Sequence, residues 1–414
     1  MEHAAQLPGR GFGALAGMRV LDLTAVLMGP FCTQILADHG AEVIKVEGPE
    51  GDTTRQLPVS RAPGLGAMFL NLNRGKRSLA LDLKHPEGRA ALLRLAEGVD
   101  VFIHAMRADA VARLGLTYAD VAAVNPRIIY ANVYGFSRRG PYAKGPAYDD
   151  TIQAMSGMAA LQGRMLGAPA YSATLVADKV SGLTALYAVL MALLHRARTG
   201  EGQEIEVGMF ETMANFVLTD HINGALFDPP EGEPVYPRAA SPNRRPYRTA
   251  DGWIAVLIYT DKHWRAFLEL AGHPSWARDP RFATLKDRAR HIDEVYARLA
   301  ETLQQRSTAE WLVGFAEAEI PAAPVNETST LLNDPHLEAV GFFTTQETTL
   351  GTMRFPGLPA WFSRTPGQIT GPAPALGKDG RAVLTEAGFS RADIEALVAC
   401  GALILPAEER EGTL

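Results

Sequence analysis

The 414-residue chain has few of the features that mark secreted or metal-binding proteins. Its two cysteines, Cys32 and Cys400, are too few for a disulfide scaffold and fit a reducing compartment. The ten histidines are scattered and neither an HExxH nor a paired CxxC sequence occurs, so we expect no bound metal. The N-terminus lacks a basic segment followed by an apolar one, so we expect no signal peptide and a cytoplasmic protein.

An excess of positive charge and a long apolar run are also absent. The 40 Lys and Arg residues against 46 Asp and Glu residues give a net charge of −6, so neither nucleic acid nor a membrane surface is an expected partner. An anionic ligand would need a local basic pocket. The strongest apolar run, 183–194, is shorter than the roughly 20 residues that span a bilayer, and we predict a helix buried in a large core.

The chain does contain a regular alternation of apolar strand-like and amphipathic helix-like segments. Strands are predicted at 19–24, 42–47, 78–83, 99–104 and 127–133, with helical segments between them. A long helix at 178–196 and a strand at 203–209 continue the pattern. Such alternation predicts an α/β layer built on a largely parallel sheet.

Two proline-rich segments, 228–234 and 366–374, divide a chain that is too long for one ordinary core. Between them, a strand near 253–258 is followed by amphipathic helices, which predicts a smaller α+β domain. We therefore predict three segments: the first part of a large α/β domain at 1–227, a small domain at 240–330, and a return segment with a C-terminal tail at 331–414.

Three glycines near the N-terminus, Gly9, Gly11 and Gly13, are spaced similarly to those of a dinucleotide-binding loop. They precede the first predicted strand, whereas such a loop follows it, so a nicotinamide-dependent enzyme is disfavoured. Asp178 is a stronger candidate for chemistry. At the start of a long helix it could be only a cap or a first-turn charge, yet an ionised carboxylate there could also attack a thioester carbonyl.

Several separate motifs follow one another in order along nearly the whole chain. They are LDLT at 21–24, LADHGAEVIKVE at 36–47, NRGKRS at 73–78, Ala177-Asp178, RTGEGQ at 198–203, NDPHL at 333–337 and PALG at 374–377. Together they resemble the motifs of the class III CoA-transferases. This family includes formyl-CoA transferase, carnitine CoA-transferase, dicarboxylate CoA-transferases and the α-methylacyl-CoA racemases, and the similarity leans toward the dicarboxylate enzymes.

The resemblance implies a transferase that uses Asp178 as its nucleophile, through a mixed anhydride and then an enzyme–CoA thioester. Coenzyme A would be a substrate, and no permanently bound cofactor is implied. The implied CoA-binding residues are Val26, Leu81, Lys84, Ala105, Met106, Arg107, Arg113, Tyr134 and Gly135. The three cations among them would supply local positive charge for the pyrophosphate and the ribose phosphate.

The chain also departs from its relatives. Leu27 stands where formyl-CoA transferase has a glutamine, and the glycine-rich gating loop of that enzyme has no counterpart, which argues against formyl-CoA and oxalate. The racemases need a second acid/base group, and their histidine is replaced here by Tyr148, beside Asp149. Tyrosine is a poor base at neutral pH, so a transferase is favoured over a racemase or epimerase. A non-catalytic CoA-binding protein stays open, although the presence of Asp178 speaks against it.

Three arginines, Arg244, Arg245 and Arg248, lie at the predicted entry of the small domain. We hypothesise that one pairs with the distal carboxylate of a C4 or C5 dicarboxylic acceptor, and a solvated basic loop is the alternative. Tyr148 and Asp149 are further substrate-binding candidates. The resemblance also implies a Rossmann-like large domain made from both chain ends, an inserted small domain and an interlocked homodimer.

Overall fold

The structure is a computed structural model that describes residues 11–406. Gly9 and the N-terminal residues that bear on a signal peptide lie outside this range. The strands are β1 (Arg19–Leu23), β2 (Glu42–Glu47), β3 (Arg77–Leu81), β4 (Val101–His104), β5 (Ile129–Tyr134), β6 (Gln203–Gly208), β7 (Tyr247–Arg248), β8 (Trp253–Val256), β9 (Ala322–Pro324), β10 (Phe343–Thr348), β11 (Gly351–Pro356) and β12 (Leu403–Ile404).

The helices alternate with the strands in the first half of the chain and dominate the second. They are α1 (Met28–Asp38), α2 (Ala67–Leu72), α3 (Pro86–Ala96), α4 (Ala108–Leu114), α5 (Tyr118–Val124), α6 (Asp149–Met155), α7 (Met158–Leu166), α8 (Val176–Thr199), α9 (Met209–His221), α10 (Asp261–Leu270), α11 (Leu285–Arg290), α12 (Ile292–Leu303), α13 (Thr308–Glu317), α14 (Thr328–Leu331), α15 (Pro335–Ala339), α16 (Gly380–Glu386) and α17 (Arg391–Ala399).

Seven strands form the central sheet, in the order β12-β3-β2-β1-β4-β5-β6. Six of them run parallel, and β12 pairs antiparallel with β3 at one edge. In the register of the central strand, Val20 lies beside Val43 of β2 and Val101 of β4. The first six strands have the order 3-2-1-4-5-6 of doubly wound folds, which reverses direction between β1 and β4. The predicted α/β layer on a largely parallel sheet is confirmed.

The apolar strands explain this layer, because their side chains are buried on both faces of the sheet. One face packs against α3, α5, α16 and α17 in a core that includes Leu21, Ile44, Phe102 and Tyr130. Helix α1 ends before Gly40, whose φ of 101° lies in the left-handed region that stops a helix. Each predicted segment of the first half lies within a few residues of an observed element.

Contacts group the described residues into two compact units. Unit 1 comprises 11–153, 174–214 and 338–406 and contains the seven-stranded sheet. Unit 2 comprises 154–173 and 215–337 and contains the sheet β7-β8-β9. Its own core is rich in aromatic side chains, among them Trp264, Phe267 and Trp311. The segment 154–173 has no counterpart in the domain boundaries that we predicted from the sequence.

Helix α8 corrects one expectation. With 24 residues it is longer than the apolar run 183–194, and among residues 11–406 it is the one helix long and apolar enough to cross a membrane by length and composition. Its inner face packs against α1, where a Cβ on Gly182 would lie 2.6 Å from the carbonyl oxygen of Met28. The prediction of a fully buried helix is wrong for its outer face, which exposes Leu183, Tyr187, Leu190, Met191 and Leu194.

A network of buried charges lies between β1, α1 and the segment that precedes β3. The Lys76 ammonium donates to Asp22 Oδ2 at 2.9 Å and to Thr33 Oγ1 at 2.7 Å, and neither charged side chain is exposed. Burial alone would raise the pKa of Asp22, but Lys76 and Lys45 with two hydroxyls lower it to about 2. Burial lowers the pKa of Lys76 to about 8 despite the attraction of Asp22. The pair therefore stays charged at neutral pH.

We expect Asp22→Asn to lower the free energy of unfolding by about 3–5 kcal/mol, because it leaves the Lys76 ammonium buried without a counter-ion. Urea unfolding followed by circular dichroism at pH 7 measures the change. The double variant Asp22→Asn/Lys76→Met should recover part of the loss. Asp109→Asn, which removes the exposed partner of Arg113, is the control and should leave the midpoint unchanged. A wild-type midpoint for Asp22→Asn would contradict the role of the buried pair.

Candidate active site

The carboxyl ends of the parallel strands bring most of the predicted binding residues to one edge of the sheet. In doubly wound sheets the ligand crevice lies at this edge, where the strand order reverses, here between β1 and β4. The loops that carry Val26 and Arg107 follow these two strands. The residues placed at or just beyond a strand end are Val26 after β1, Leu81 and Lys84 at β3, Ala105, Met106 and Arg107 after β4, and Tyr134 and Gly135 at β5.

These residues differ in what they can offer a ligand. Lys84 and Arg107 are exposed and form no ion pair within residues 11–406, so their charges are available. Leu81 is fully buried in the core and can offer only backbone groups. Tyr134 is also buried, and its hydroxyl donates to Asn132 Oδ1 at 2.7 Å.

Two predicted binding residues have structural roles of their own. A Cβ on Gly135 would lie 2.2 Å from the Cβ of Ala147, so packing within the chain already requires glycine there. Arg113 is not at a strand end. It lies on α4 and pairs with Asp109 at 2.9 Å in an exposed i,i+4 contact, which holds it only weakly.

The loop between β1 and α1 has a strained backbone. Val26 has a φ of 68°, in the left-handed region that β-branched residues rarely adopt. Its N–H donates to both carboxylate oxygens of Asp52, at 3.2 and 3.3 Å. The Lys45 ammonium bonds the same carboxylate at 3.0 Å and the carbonyl oxygen of Thr24 at 2.9 Å. This buried ion pair, with both side chains 1% exposed, therefore fixes the loop from two sides.

Asp178 lies in the first turn of α8, which has no side-chain cap from its own N-cap residue, Leu175. Asp149 supplies a substitute, because its Oδ1 accepts a hydrogen bond from the Asp178 N–H at 3.1 Å. Gln153 holds the other oxygen of Asp149 at 2.5 Å. The N–H of Met28, the first residue of α1, lies close enough to the Asp178 carboxylate to offset part of the rise in its pKa. Three helices thus position one carboxyl group.

The environment of Asp178 changes its basicity. Burial and the negative charge of Asp149 raise its pKa to about 6, and the Met28 N–H opposes them only in part. A helix start favours the ionised carboxylate, but the pKa of Asp178 is raised because lost hydration and a second acid outweigh this effect. The group is still largely ionised at pH 7. A buried carboxylate that is more basic than usual is suited to nucleophilic attack on an acyl carbon.

The remaining candidates have other surroundings. Tyr148 precedes Asp149 but is 69% exposed. Arg244 and Arg245 belong to unit 2, where both are exposed and border its large cavity. Sequence reasoning missed Lys45 and Asp52. A lysine inside the apolar run 43–46 of β2 was the available signal, because a buried cation needs a buried partner.

We expect Asp178→Asn to stabilise the protein at high pH. The folded-state pKa of about 6 lies above the ordinary value of 3.8, so the folded state loses stability as pH rises from about 4 through 6 and Asp178 ionises. The variant avoids this loss, and at pH 8 it should be more stable by about 1–3 kcal/mol. Thermal unfolding measured from pH 4 to 8 should show the two curves converging at the acid end.

The control for this measurement is Asp150→Asn, a change of an exposed neighbour on the same α6 helix as Asp149. It should follow the wild-type stability at every pH. A stability difference for Asp178→Asn that stayed constant from pH 4 to 8 would contradict a raised pKa as its cause.

Comparison with known proteins identifies the family. The CoA-transferase family III model matches residues 15–380. A succinate–glutarate CoA-transferase from Agrobacterium fabrum is 36% identical over 384 residues, which cover 90% of this chain and 95% of that protein. A formyl-CoA:oxalate CoA-transferase from Escherichia coli is 32% identical over 411 residues, covering 92% and 98%.

The fold agrees with this assignment. The crystal structure of a CAIB/BAIF family protein from Brucella suis matches with a TM-score of 0.77 and 31% identity, over 91% of this chain and 100% of that one. The chain therefore belongs to family III of the CoA-transferases, enzymes that use CoA thioesters and carboxylic acids as substrates.

Proposed function

We propose that this protein moves CoA from an acyl-CoA donor to a carboxylic acid acceptor through a covalent intermediate on Asp178. The observation that carries the proposal is the environment of Asp178, a buried carboxylate with a pKa of about 6 at the start of α8. It lies in unit 1, the unit whose sheet presents Lys84 and Arg107 at its carboxyl edge. These two cations would bind the phosphates of CoA, and Arg113 would exchange Asp109 for a phosphate.

The reaction would proceed by exchange of acyl groups at one carboxylate. An Asp178 oxygen attacks the thioester carbon, the carbon–sulfur bond breaks, and CoA leaves as the thiolate from a mixed anhydride. The thiolate then attacks the aspartyl carbonyl and releases the donor acid, which leaves an aspartyl-CoA thioester. The acceptor carboxylate attacks this thioester, its carbon–sulfur bond breaks, and a second anhydride forms as the CoA thiolate leaves. The CoA thiolate then attacks the acyl carbon of the acceptor in this second anhydride. This step releases the new acyl-CoA and regenerates the Asp178 carboxylate.

A racemase or epimerase is the main alternative within the family, and a non-catalytic CoA-binding protein is the other. Racemisation needs two acid/base groups, and Tyr148 stands where the racemases have histidine. The raised pKa of Asp178 argues against a purely structural role, because a simple helix cap would be better ionised. Both points favour the transferase.

We propose a C4 or C5 dicarboxylic acid as the acceptor. The Agrobacterium relative is described as acting on succinate and glutarate, and the Escherichia coli relative on oxalate, all dicarboxylic acids. Leu27 and the missing glycine-rich loop favour the longer acids over oxalate. Arg244 and Arg245 are exposed and free of carboxylate partners within residues 11–406, so either could bind the distal carboxylate, with Tyr148 and Asp149 nearer the nucleophile in sequence.

The assembly is also a proposal. We infer a cytoplasmic homodimer of interlocked subunits, each with a Rossmann-like large domain made from both ends of the chain and a small α+β domain inserted between them. The support is the outer face of α8, where five large apolar side chains are exposed, among them Met191 at 65%. Apolar surface of this kind is usually covered in an assembly.

The central test is intact-protein mass spectrometry after mixing with succinyl-CoA. We expect wild type to gain a covalent acyl or CoA adduct and Asp178→Ala to gain none, since the variant has no carboxylate to acylate. Asp150→Ala, an exposed aspartate on α6, should be modified like wild type. Adducts that persist in Asp178→Ala would refute the mechanism. If wild type also gains no adduct with succinyl-CoA, the same comparison is repeated with other acyl-CoA donors.

Acceptor selectivity tests the proposed arginine contact. With an acyl-CoA donor that reacts, we expect succinate or glutarate to be used far better than butyrate, because butyrate lacks the distal carboxylate. Arg244→Gln or Arg245→Gln should raise the KM for the diacid by about tenfold or more and leave that for butyrate unchanged. Equal turnover of butyrate and succinate by wild type would rule out the distal carboxylate contact.

A further inference from the structure

Unit 2 contains a large cavity that is lined entirely by its own residues. Its volume is about 1310 Å³, above the roughly 300–1,000 Å³ of most small-molecule sites. Strands β8 and β9 and helices α11 and α12 contribute to its walls, together with the segment that precedes β8. A C4 or C5 acid would leave most of this space empty.

Positive charge is concentrated on these walls. The lining includes Arg238, Arg244, Arg245, Lys286 and Arg288, and none of the described lining residues is Asp or Glu. Four of the five form no ion pair within residues 11–406, and only Arg288 has a carboxylate partner. The uncompensated charge would attract an anion.

Arg288 is a cation whose partners lie within the protein. It is buried, pairs with Asp261 at 2.6 Å and donates to the carbonyl oxygen of Phe282 at 3.0 Å. Its hydrogen-bonding capacity is therefore used within the protein.

Arg238 has the opposite arrangement. The hydroxyl groups of Tyr236 and Tyr296 lie close enough to its guanidinium to raise its pKa against the effect of burial, and the guanidinium lies over the ring of Tyr259, 5.4 Å from the ring centre. Three tyrosines thus orient the side chain without neutralising it. A planar cation that is held in place and still charged is suited to bind a carboxylate with two parallel hydrogen bonds.

Another part of the wall is apolar. Side chains that line it include Val256, Ile258, Leu285, Ile292, Val295 and Leu299. Several of them also belong to, or pack against, the aromatic core of unit 2, so this wall is supported from behind. An aliphatic chain would gain contact here by leaving water.

We propose that this cavity is a binding site for a carboxylic acid with an extended aliphatic chain, its carboxylate on Arg238 and its chain along the apolar wall. The site takes a larger acid than the C4 or C5 acceptor, and it does not depend on the role of Asp178. Such an acid could be a second class of acceptor, or it could be an effector that binds without reacting. In both cases its carboxylate and its aliphatic chain would make the same contacts.

Isothermal titration of decanoate into the full-length Asp178→Ala variant tests the site without turnover. We expect saturable binding, with succinate weaker by about tenfold or more because it cannot contact the apolar wall. In the same background, Arg238→Gln should weaken decanoate by about tenfold or more. Ala289→Phe, which places a ring in the cavity and keeps all its charges, should do the same. Arg290→Gln is the matched control, since Arg290 is exposed on α11 but does not line the cavity.

The outcomes separate clearly. Absence of saturable decanoate binding, equal affinity for succinate, or unchanged affinity in both cavity variants would overturn the proposal. Two variants are used because Arg238 also orders three tyrosines, whereas Ala289 does not. Assay of the wild type with an acyl-CoA donor then identifies the source of the ligand: formation of decanoyl-CoA marks an acceptor, and bound but unconverted decanoate marks an effector. Binding with no catalysis of any kind would refute the proposed function and leave the site intact.

Discussion

The ion pair between Lys45 and Asp52 is the contact on which the geometry of the candidate site depends. Its carboxylate holds the N–H of Val26 and its ammonium holds the carbonyl of Thr24, so a loop with a disfavoured backbone is kept in one conformation. That loop leads directly into α1, and the first N–H of α1 lies close enough to the Asp178 carboxylate to offset part of the rise in its pKa. A buried pair of charges is costly to form, and here it fixes the orientation of a reactive group.

The sheet could be predicted from the sequence because its strands are short apolar runs between amphipathic helices. The family motifs allowed Asp178 and the strand-end residues around Arg107 to be predicted as candidate site residues. The parallel strands explain why positions that are far apart in sequence lie at one edge of the sheet. Lys45, Asp52 and Arg238 were harder to foresee. Their significance comes from partners brought close only by folding, and no local spacing encodes such pairs.

The direction of the Asp178 pKa shift illustrates the same limit. A helix start predicts a lowered value, and only the folded chain reveals the burial and the neighbouring Asp149 that raise it. Likewise, periodicity predicted that α8 is a helix but gave no indication that its outer face would lie open. Local patterns predict elements, whereas burial and charge partners depend on which elements pack together.

Helix α8 carries Asp178 in its first turn and, further along, an exposed row of apolar side chains. Because a helix is stiff along its axis, a partner that packs against these apolar side chains also restrains the end of α8 that carries the Asp178 carboxylate. In the proposed interlocked dimer, the two subunits could not separate on dilution unless one chain opened. The apolar row would therefore stay covered, and the specific activity of this enzyme would be independent of its own concentration.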